Sequence, residues 1–306
     1  MSFYSLFRLS IAVALIGSPM HFARAYVIFP PDGSFAGKSI VDWTADWWTW
    51  ALQSPAATNP LLDATGAFAN VNNDGPVFFV AGTVSGSTPR SFEVPAGKPI
   101  LLPIINLFDV ESVPPDPPEA TLADRERAAD LVVGAFLDAV DKSSLFASID
   151  GTPVANPSAY LEVTGYFDMG PTQPGSLLEA LGLPAGTEAF PTKSGGYWLM
   201  VGDLTPGLHE LHFGGSSGDW SVDTGTPIGT ESGAGFSTET TDLINVVVPE
   251  PTSAALCLPW VLALLGFWRG PRLISRSHRA KCRPRRAYTE LGFVTATGVG
   301  MKGGKG

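Results

Sequence analysis

The order of apolar and polar positions predicts two helices within a chain of short strands. From Lys38 to Ser54, Trp43, Trp47 and Trp50 recur at helical spacing while Trp48 points elsewhere. Ser39 can cap this helix, with Asp42 three residues further on. A second helix is expected after Thr121, and its apolar stripe consists of Ala129, Val132, Val133, Phe136 and Val140.

The other apolar runs are short, are bounded by turn residues and predict strands. In chain order they are Pro76 to Gly82, Lys98 to Leu107, Leu161 to Phe167, Tyr197 to Val201, Leu208 to Phe213 and Thr238 to Val248. Turns are expected at Val94 to Gly97 and at Leu204 to Gly207. Residues 214–236 are rich in Gly, Ser and Thr and predict a long exposed loop.

This pattern predicts a mainly β fold, an antiparallel β-sandwich of jelly-roll or immunoglobulin-like type. It would carry one Trp-rich N-terminal helix and one inserted helix, besides signal and C-terminal membrane helices. The composition of 34 Gly and 27 Pro in 306 residues disfavours an all-helical bundle, and 44% hydrophobic residues exclude a disordered chain. Two cysteines are too few for a disulfide scaffold or a four-cysteine zinc module.

The first 25 residues have the pattern of a secretory signal peptide. Arg8 supplies the positive region, Leu9 to Gly17 the apolar core, and Ala23-Arg24-Ala25 a small-x-small cleavage site. The apolar run is too short to span a bilayer. We therefore expect signal peptidase to release a mature chain that begins at Tyr26.

The C-terminal end combines three features in a fixed order. Val248-Pro249-Glu250-Pro251-Thr252 precedes an apolar run from Ser253 to Trp268. A basic cluster follows, formed by Arg269, Arg272, Arg276 and Arg279. The run is slightly short for a bilayer of about 30 Å, and the basic flank should stay cytoplasmic.

This order resembles the PEP-CTERM sorting signal of Gram-negative bacteria that make exopolysaccharide. In that family an exosortase, a membrane-embedded cysteine protease, recognises the tripeptide and the helix. The resemblance implies export, anchoring in the inner membrane before processing, and then a place in the cell envelope or outside the cell. The chain departs from the family pattern because it continues to Gly306, with ten Lys or Arg from Arg269 onward against Glu290 alone.

These signals divide the chain into four parts. They are a signal peptide (1–25), an exported β-rich domain (26–247), a sorting signal (248–272) with its transmembrane run (253–268), and a basic, disordered tail (273–306). Between residues 26 and 248, seven Lys or Arg stand against 27 Asp or Glu, a net charge of −20. Such a domain should repel nucleic acid. Both cysteines, Cys257 and Cys282, lie outside it.

Much of residues 38–248 also resembles a group of uncharacterised secreted bacterial proteins. The shared features are Trp43-x-x-x-Trp47-Trp48-x-Trp50, Asn59-Pro60, Asp63-x-Thr65-Gly66, Gly75-Pro76-Val77-x-Phe79-x-Ala81-Gly82-Thr83, Val94-Pro95-Ala96-Gly97-Lys98, Gly195-Gly196-Tyr197-Trp198 and Pro206-Gly207-x-His209. The resemblance implies a common fold and export but no reaction. Group members often carry cysteines near the positions of Ala69 and Phe92, so any such disulfide is lost here.

No motif between residues 26 and 248 predicts a catalytic or metal site. On a strand, His209 and His212 would point to opposite faces and could not chelate one metal. Asn70 to Gly75 imitates the start of a calcium loop, but Ala81 occupies the twelfth position, so we interpret it as a turn. Asp109 and Glu111 would share a strand face if the strand after Lys98 extends that far, although no carboxylate spacing is diagnostic of glycoside hydrolysis.

The clustered tryptophans have two interpretations. Aromatic faces stack on sugar rings, which makes Trp48, Trp198 and Trp220 candidate contacts for polysaccharide. The spacing of Trp43, Trp47 and Trp50 favours instead a helix whose indoles seal one end of a β-domain core.

The sequence thus favours a non-enzymatic, exported protein of the envelope or extracellular matrix, with no cofactor. Its expected partners are signal peptidase, an exosortase-type sorting enzyme and exopolysaccharide. The alternatives are a carboxylate-dependent, carbohydrate-active hydrolase and a calcium-stabilised adhesion module.

Overall fold

A computed structural model describes residues 26–83, 89–113 and 117–249 of the chain. The signal peptide, Glu250 to Thr252, the run 253–268, the basic cluster and the tail lie outside the described residues, and their assignments stay predictions. Of the sorting motif, Val248 and Pro249 are described, directly after the last strand. Within the described ranges, every helix is too short or too polar to cross a membrane.

The described chain is mainly β, with three α-helices among its strands. The helices are α1 (Ile40–Gln53), α2 (Leu122–Ala139) and α3 (Leu177–Ala180). In chain order the strands are β1 (Val27–Ile28), β2 (Ser34–Phe35), β3 (Lys38–Ser39), β4 (Phe78–Phe79), β5 (Arg90–Pro95), β6 (Ile100–Val113), β7 (Val140–Ile149), β8 (Thr152–Pro153), β9 (Leu161–Val163), β10 (Glu188–Gly202), β11 (Gly207–Ser217), β12 (Trp220–Asp223), β13 (Thr230–Gly233) and β14 (Ser237–Val247).

Most strands belong to two five-stranded sheets. The first sheet has the order β1-β10-β6-β4, with β9 also paired to β10, and the second has the order β5-β14-β11-β7-β8. Most strand pairs are antiparallel, as predicted, but β5 with β14 and β4 with β6 are parallel. The turn after Pro95 connects β5 of the second sheet to β6 of the first sheet. Consequently β5 forms no hairpin with β6 and instead joins the second sheet alongside β14.

The first sheet is buried on both faces. One face shares a core with the second sheet and α2, to which Tyr197, Phe213 and Phe136 contribute. The other face packs under α1, where Trp198 and Met200 meet the tryptophans of the helix. All four tryptophans of α1 are buried, which confirms the prediction that this helix closes one side of the core.

The predicted helix caps are confirmed. The Ser39 hydroxyl accepts a hydrogen bond from the Asp42 backbone N–H, and Thr121 forms a reciprocal capping box with Asp124.

Three of the four tryptophans of α1 are anchored by hydrogen bonds to the backbone. Trp43, Trp47 and Trp50 donate their indole N–H to the backbone carbonyls of Phe35, Val80 and Val71 at 2.8–3.0 Å.

The predicted long loop over residues 214–236 is wrong. β11 extends to Ser217, and β12 and β13 form a hairpin. The glycines here serve close packing rather than a turn: a Cβ on Gly214 would lie 2.1 Å from the Thr238 carbonyl oxygen, and one on Gly215 would lie 2.7 Å from Leu145. Two other strands are shorter than predicted. Of the predicted strand Pro76 to Gly82 only β4 forms, and of the predicted strand Leu161 to Phe167 only β9 forms. The strands β5 and β7 were not predicted.

Candidate functional site

An apolar cleft of about 520 Å³ lies over the edge of β6. Its walls come from α1, residues 103–108 of β6, the 3-10 turn Pro60–Leu62, α3 and the start of β14. The volume is within the range of sites that hold small molecules. We call this space the β6 cleft.

The edge of β6 is open here because β4 is only two residues long. β4 pairs with Ile100 and Leu101 of β6. Val80, the residue after β4, donates its backbone N–H to the Leu101 carbonyl at 2.9 Å. The chain then crosses to the second sheet, where the Thr83 backbone N–H donates to the Thr240 hydroxyl at 3.1 Å. Beyond Leu101, no strand of the described residues pairs with β6 on this side.

A β-bulge shapes the wall of the cleft. Tyr197 pairs with Ile105 but Trp198 pairs with Pro103, so Ile104 is the extra residue. Both Ile104 and Ile105 consequently turn into the core between the sheets. Bulges of this kind redirect side chains next to binding sites. Here the bulge places Asn106 on the face that packs under α1.

The lining of the β6 cleft is apolar, and its rim is exposed. Its polar lining residues among those described are Thr83, Asn106, Ser237 and Thr238, and none is charged. At the rim, Leu62, Leu181 and Phe236 are 53%, 62% and 39% exposed. Large apolar side chains gathered at one exposed opening indicate a binding site rather than a scattered surface.

Trp48 is the tryptophan of α1 that lines this cleft without a polar anchor. Its ring centroid lies 4.5 Å from that of Phe108, another lining residue. In the part of the chain described, neither the Trp48 Nε1 nor the Asn106 Nδ2 has a hydrogen-bond partner. Trp48 therefore differs from the three anchored tryptophans of the same helix.

The structure does not bring the three tryptophans predicted to contact sugar into one site. Trp48 borders the cleft, whereas Trp198 is 1% exposed beneath α1, its ring centroid 5.1 Å from Trp47. Trp220 lies on the β12–β13 hairpin, half-buried against the core between the sheets. In this conformation Trp198 offers no face to a sugar.

The histidines lie as predicted. His209 is buried, with Nδ1 2.8 Å from the Asp150 carboxylate and Nε2 2.7 Å from the Thr205 carbonyl. His212 lies on the other face of β11, 3.0 Å from the Glu239 carboxylate. Within the ranges described, no three His, Cys, Asp or Glu residues are grouped to hold a metal ion.

The Asn70–Gly75 segment forms the predicted turn. Asn72 has a φ of +52°, and the buried Asn73 amide donates to the Ala69 and Phe79 carbonyls at 2.9 and 2.8 Å. Its amide oxygen accepts from the Phe79 backbone N–H at 2.9 Å. These hydrogen bonds give Asn73 a structural role in the turn.

Two carboxylates have raised pKa values. Burial, with a smaller contribution from Glu231, raises the pKa of Asp109 to about 6, and burial raises that of Glu162 to about 7. The sequence pattern singled out Asp109 but neither Glu231 nor Glu162. The burial of Glu162 and the approach of Glu231 to Asp109 arise only when distant strands pack together. Neither Asp109 nor Glu231 lines the β6 cleft, so this pair does not support hydrolysis there.

A comparison of the chain with protein-family models, with curated proteins and with solved structures finds no match.

Proposed function

We propose that this chain is a non-enzymatic, exported protein of the cell envelope or extracellular matrix that binds an apolar or amphipathic ligand in the β6 cleft. The observation that carries the proposal is the uncharged cleft with its exposed apolar rim of Leu62, Leu181 and Phe236. Export and sorting rest on the signal peptide and on the resemblance to the PEP-CTERM signal. The core shared by the two sheets supports a sandwich architecture.

An apolar chain fits the cleft better than a polysaccharide does. Sugar hydroxyls require many hydrogen-bonding partners, and aliphatic side chains dominate this lining. Trp48 is the candidate sugar contact that borders the cleft. Polysaccharide contact through surface aromatics therefore ranks second to binding of an apolar ligand.

A charge at the rim of the β6 cleft should weaken ligand binding. We expect the neutral fluorescent probe N-phenyl-1-naphthylamine to bind saturably to the protein. Leu181→Asp should weaken this binding at least tenfold, because the probe would have to desolvate a carboxylate. The measurement is a fluorescence titration of both proteins.

Leu208→Asp is the matched control, because Leu208 is 67% exposed and lies outside the cleft lining. It should leave the affinity for the probe unchanged. Equal losses in the two variants, or no saturable binding to the native protein, would exclude the β6 cleft as the site.

Sorting predicts a processed C-terminus. The mass of the C-terminal peptide, taken from protein recovered from its native envelope and medium, should place the terminus between Pro249 and Thr252. An intact chain that ends at Gly306 would rule out sorting while leaving the proposal for the cleft unaffected.

A further inference from the structure

Buried polar side chains surround Gly196 on the face of the first sheet that packs under α1. Gly196 pairs with Asn106 of β6 on one side and with Glu162 of β9 on the other. Paired residues project to the same face, as do residues two apart along a strand. Ser194 and Trp198 therefore flank Gly196 on this face. We call Asn106, Glu162, Ser194 and Trp198, with Trp48 of α1, the polar row.

The absence of a side chain at Gly196 allows this arrangement. A Cβ at this position would lie 2.5 Å from the Asn106 Cβ and 2.5 Å from the Ile105 carbonyl oxygen. A larger residue would displace Asn106 and force β6 away from β10. The glycine thus keeps Asn106 close over β10.

Most of the polar row lacks hydrogen-bond partners. Among the described residues, six buried side-chain polar atoms have none, and four of them are the Trp48 Nε1, Asn106 Nδ2, Ser194 Oγ and Trp198 Nε1. Glu162, a residue that is 8% exposed, adds a carboxyl group. Native proteins leave few buried polar atoms unpaired, so three on one sheet face and a fourth on the helix packed over it call for a functional explanation.

The polar row adjoins the β6 cleft through two shared residues. Trp48 and Asn106 line the cleft, and their nitrogens belong to the row. These nitrogens are buried in this conformation. A ligand in the cleft would approach the row at Trp48 and Asn106, the two residues that the cleft and the row share.

We infer that the ligand of the β6 cleft is an amphiphile with an uncharged, hydroxyl-bearing head, whose chain fills the cleft and whose head hydrogen-bonds to the polar row. This inference rests on the proposed function. A hydroxyl can donate to the Glu162 carboxyl and accept from the N–H groups of Trp48 or Asn106.

Charged heads fit the polar row less well. An anionic head would face the Glu162 carboxylate in a domain that already carries a strong negative charge. A cationic head would leave the indole and amide N–H groups without acceptors. A neutral hydroxyl satisfies both kinds of group at once.

The test compares probes that differ only in their heads. Octan-1-ol, octanoate and octane would each displace N-phenyl-1-naphthylamine from the full-length protein at pH 8. We expect octan-1-ol to bind at least tenfold more tightly than either of the others. Glu162→Gln and Asn106→Leu should each lower the preference for octan-1-ol over octane, and the exposed control Glu119→Gln should retain it.

A second readout reports on the row directly. In ¹⁵N-labelled protein, the indole N–H resonances of Trp48 or Trp198 should shift downfield with octan-1-ol and not with octane. Equal affinities for the three probes, with unshifted indole resonances, would overturn the inference and leave the proposed function intact. No displacement by any probe, together with no binding of N-phenyl-1-naphthylamine, would overturn both.

Discussion

Replacement of Arg90 by Ala is expected to lower the free energy of unfolding by about 3–5 kcal/mol, the cost of leaving one member of a buried ion pair uncompensated. Arg90 and Asp242 are register partners in the parallel β5–β14 pair. The guanidinium donates to both carboxylate oxygens, at 2.7 and 2.8 Å, and also to the Ala81 carbonyl. Both side chains are almost completely buried, so water cannot replace the lost partner.

Urea unfolding of the native protein and the variant measures this effect. The exposed pair Lys38–Asp46 offers a matched control, since Asp46→Asn should cost at most about 1 kcal/mol. The double variant Arg90→Met/Asp242→Leu should regain most of the loss, because it removes both charges together. A loss below about 1 kcal/mol for Arg90→Ala would show that the pair is unimportant for the fold.

The free energy of unfolding is expected to fall as the pH rises from 5 to 8, in part through Glu162. Burial raises the pKa of Glu162 from 4.5 to about 7, so the folded state binds the proton more tightly than the unfolded state does. The penalty for ionising Glu162 in the folded protein therefore begins above pH 4.5 and is complete above pH 7. Linkage puts the loss between pH 5 and pH 8 on the order of 2 kcal/mol.

The variant Glu162→Gln should remove this part of the pH dependence. It should match the native protein near pH 5 and exceed its stability at pH 8, as measured by urea unfolding at both pH values. Glu119→Gln, an exposed glutamate, should retain the native slope. Asp109 contributes in the same direction, so adding Asp109→Asn should flatten the remaining slope. A native stability that is constant from pH 5 to pH 8 would contradict the prediction.

The sequence alone determined the elements that depend on local periodicity. Helical spacing and capping residues predicted α1 and α2, because a helix satisfies its backbone within its own segment. The alternation along β11 placed His209 inside and His212 outside, because the faces of a strand follow from a period of two. The turn at Asn73 was likewise predicted from residues next to one another in the chain.

Only the tertiary structure decided the cleft and the polar row. Leu62, Leu181 and Phe236 lie far apart in the chain and carry no common pattern, yet they form one rim because β4 ends after two residues. The row exists because strand register sets Asn106 and Glu162 on either side of Gly196. The Arg90–Asp242 pair depends in the same way on two strands aligned in parallel. Register and sheet order arise from contacts between distant segments, and the spacing of residues within one segment does not encode them.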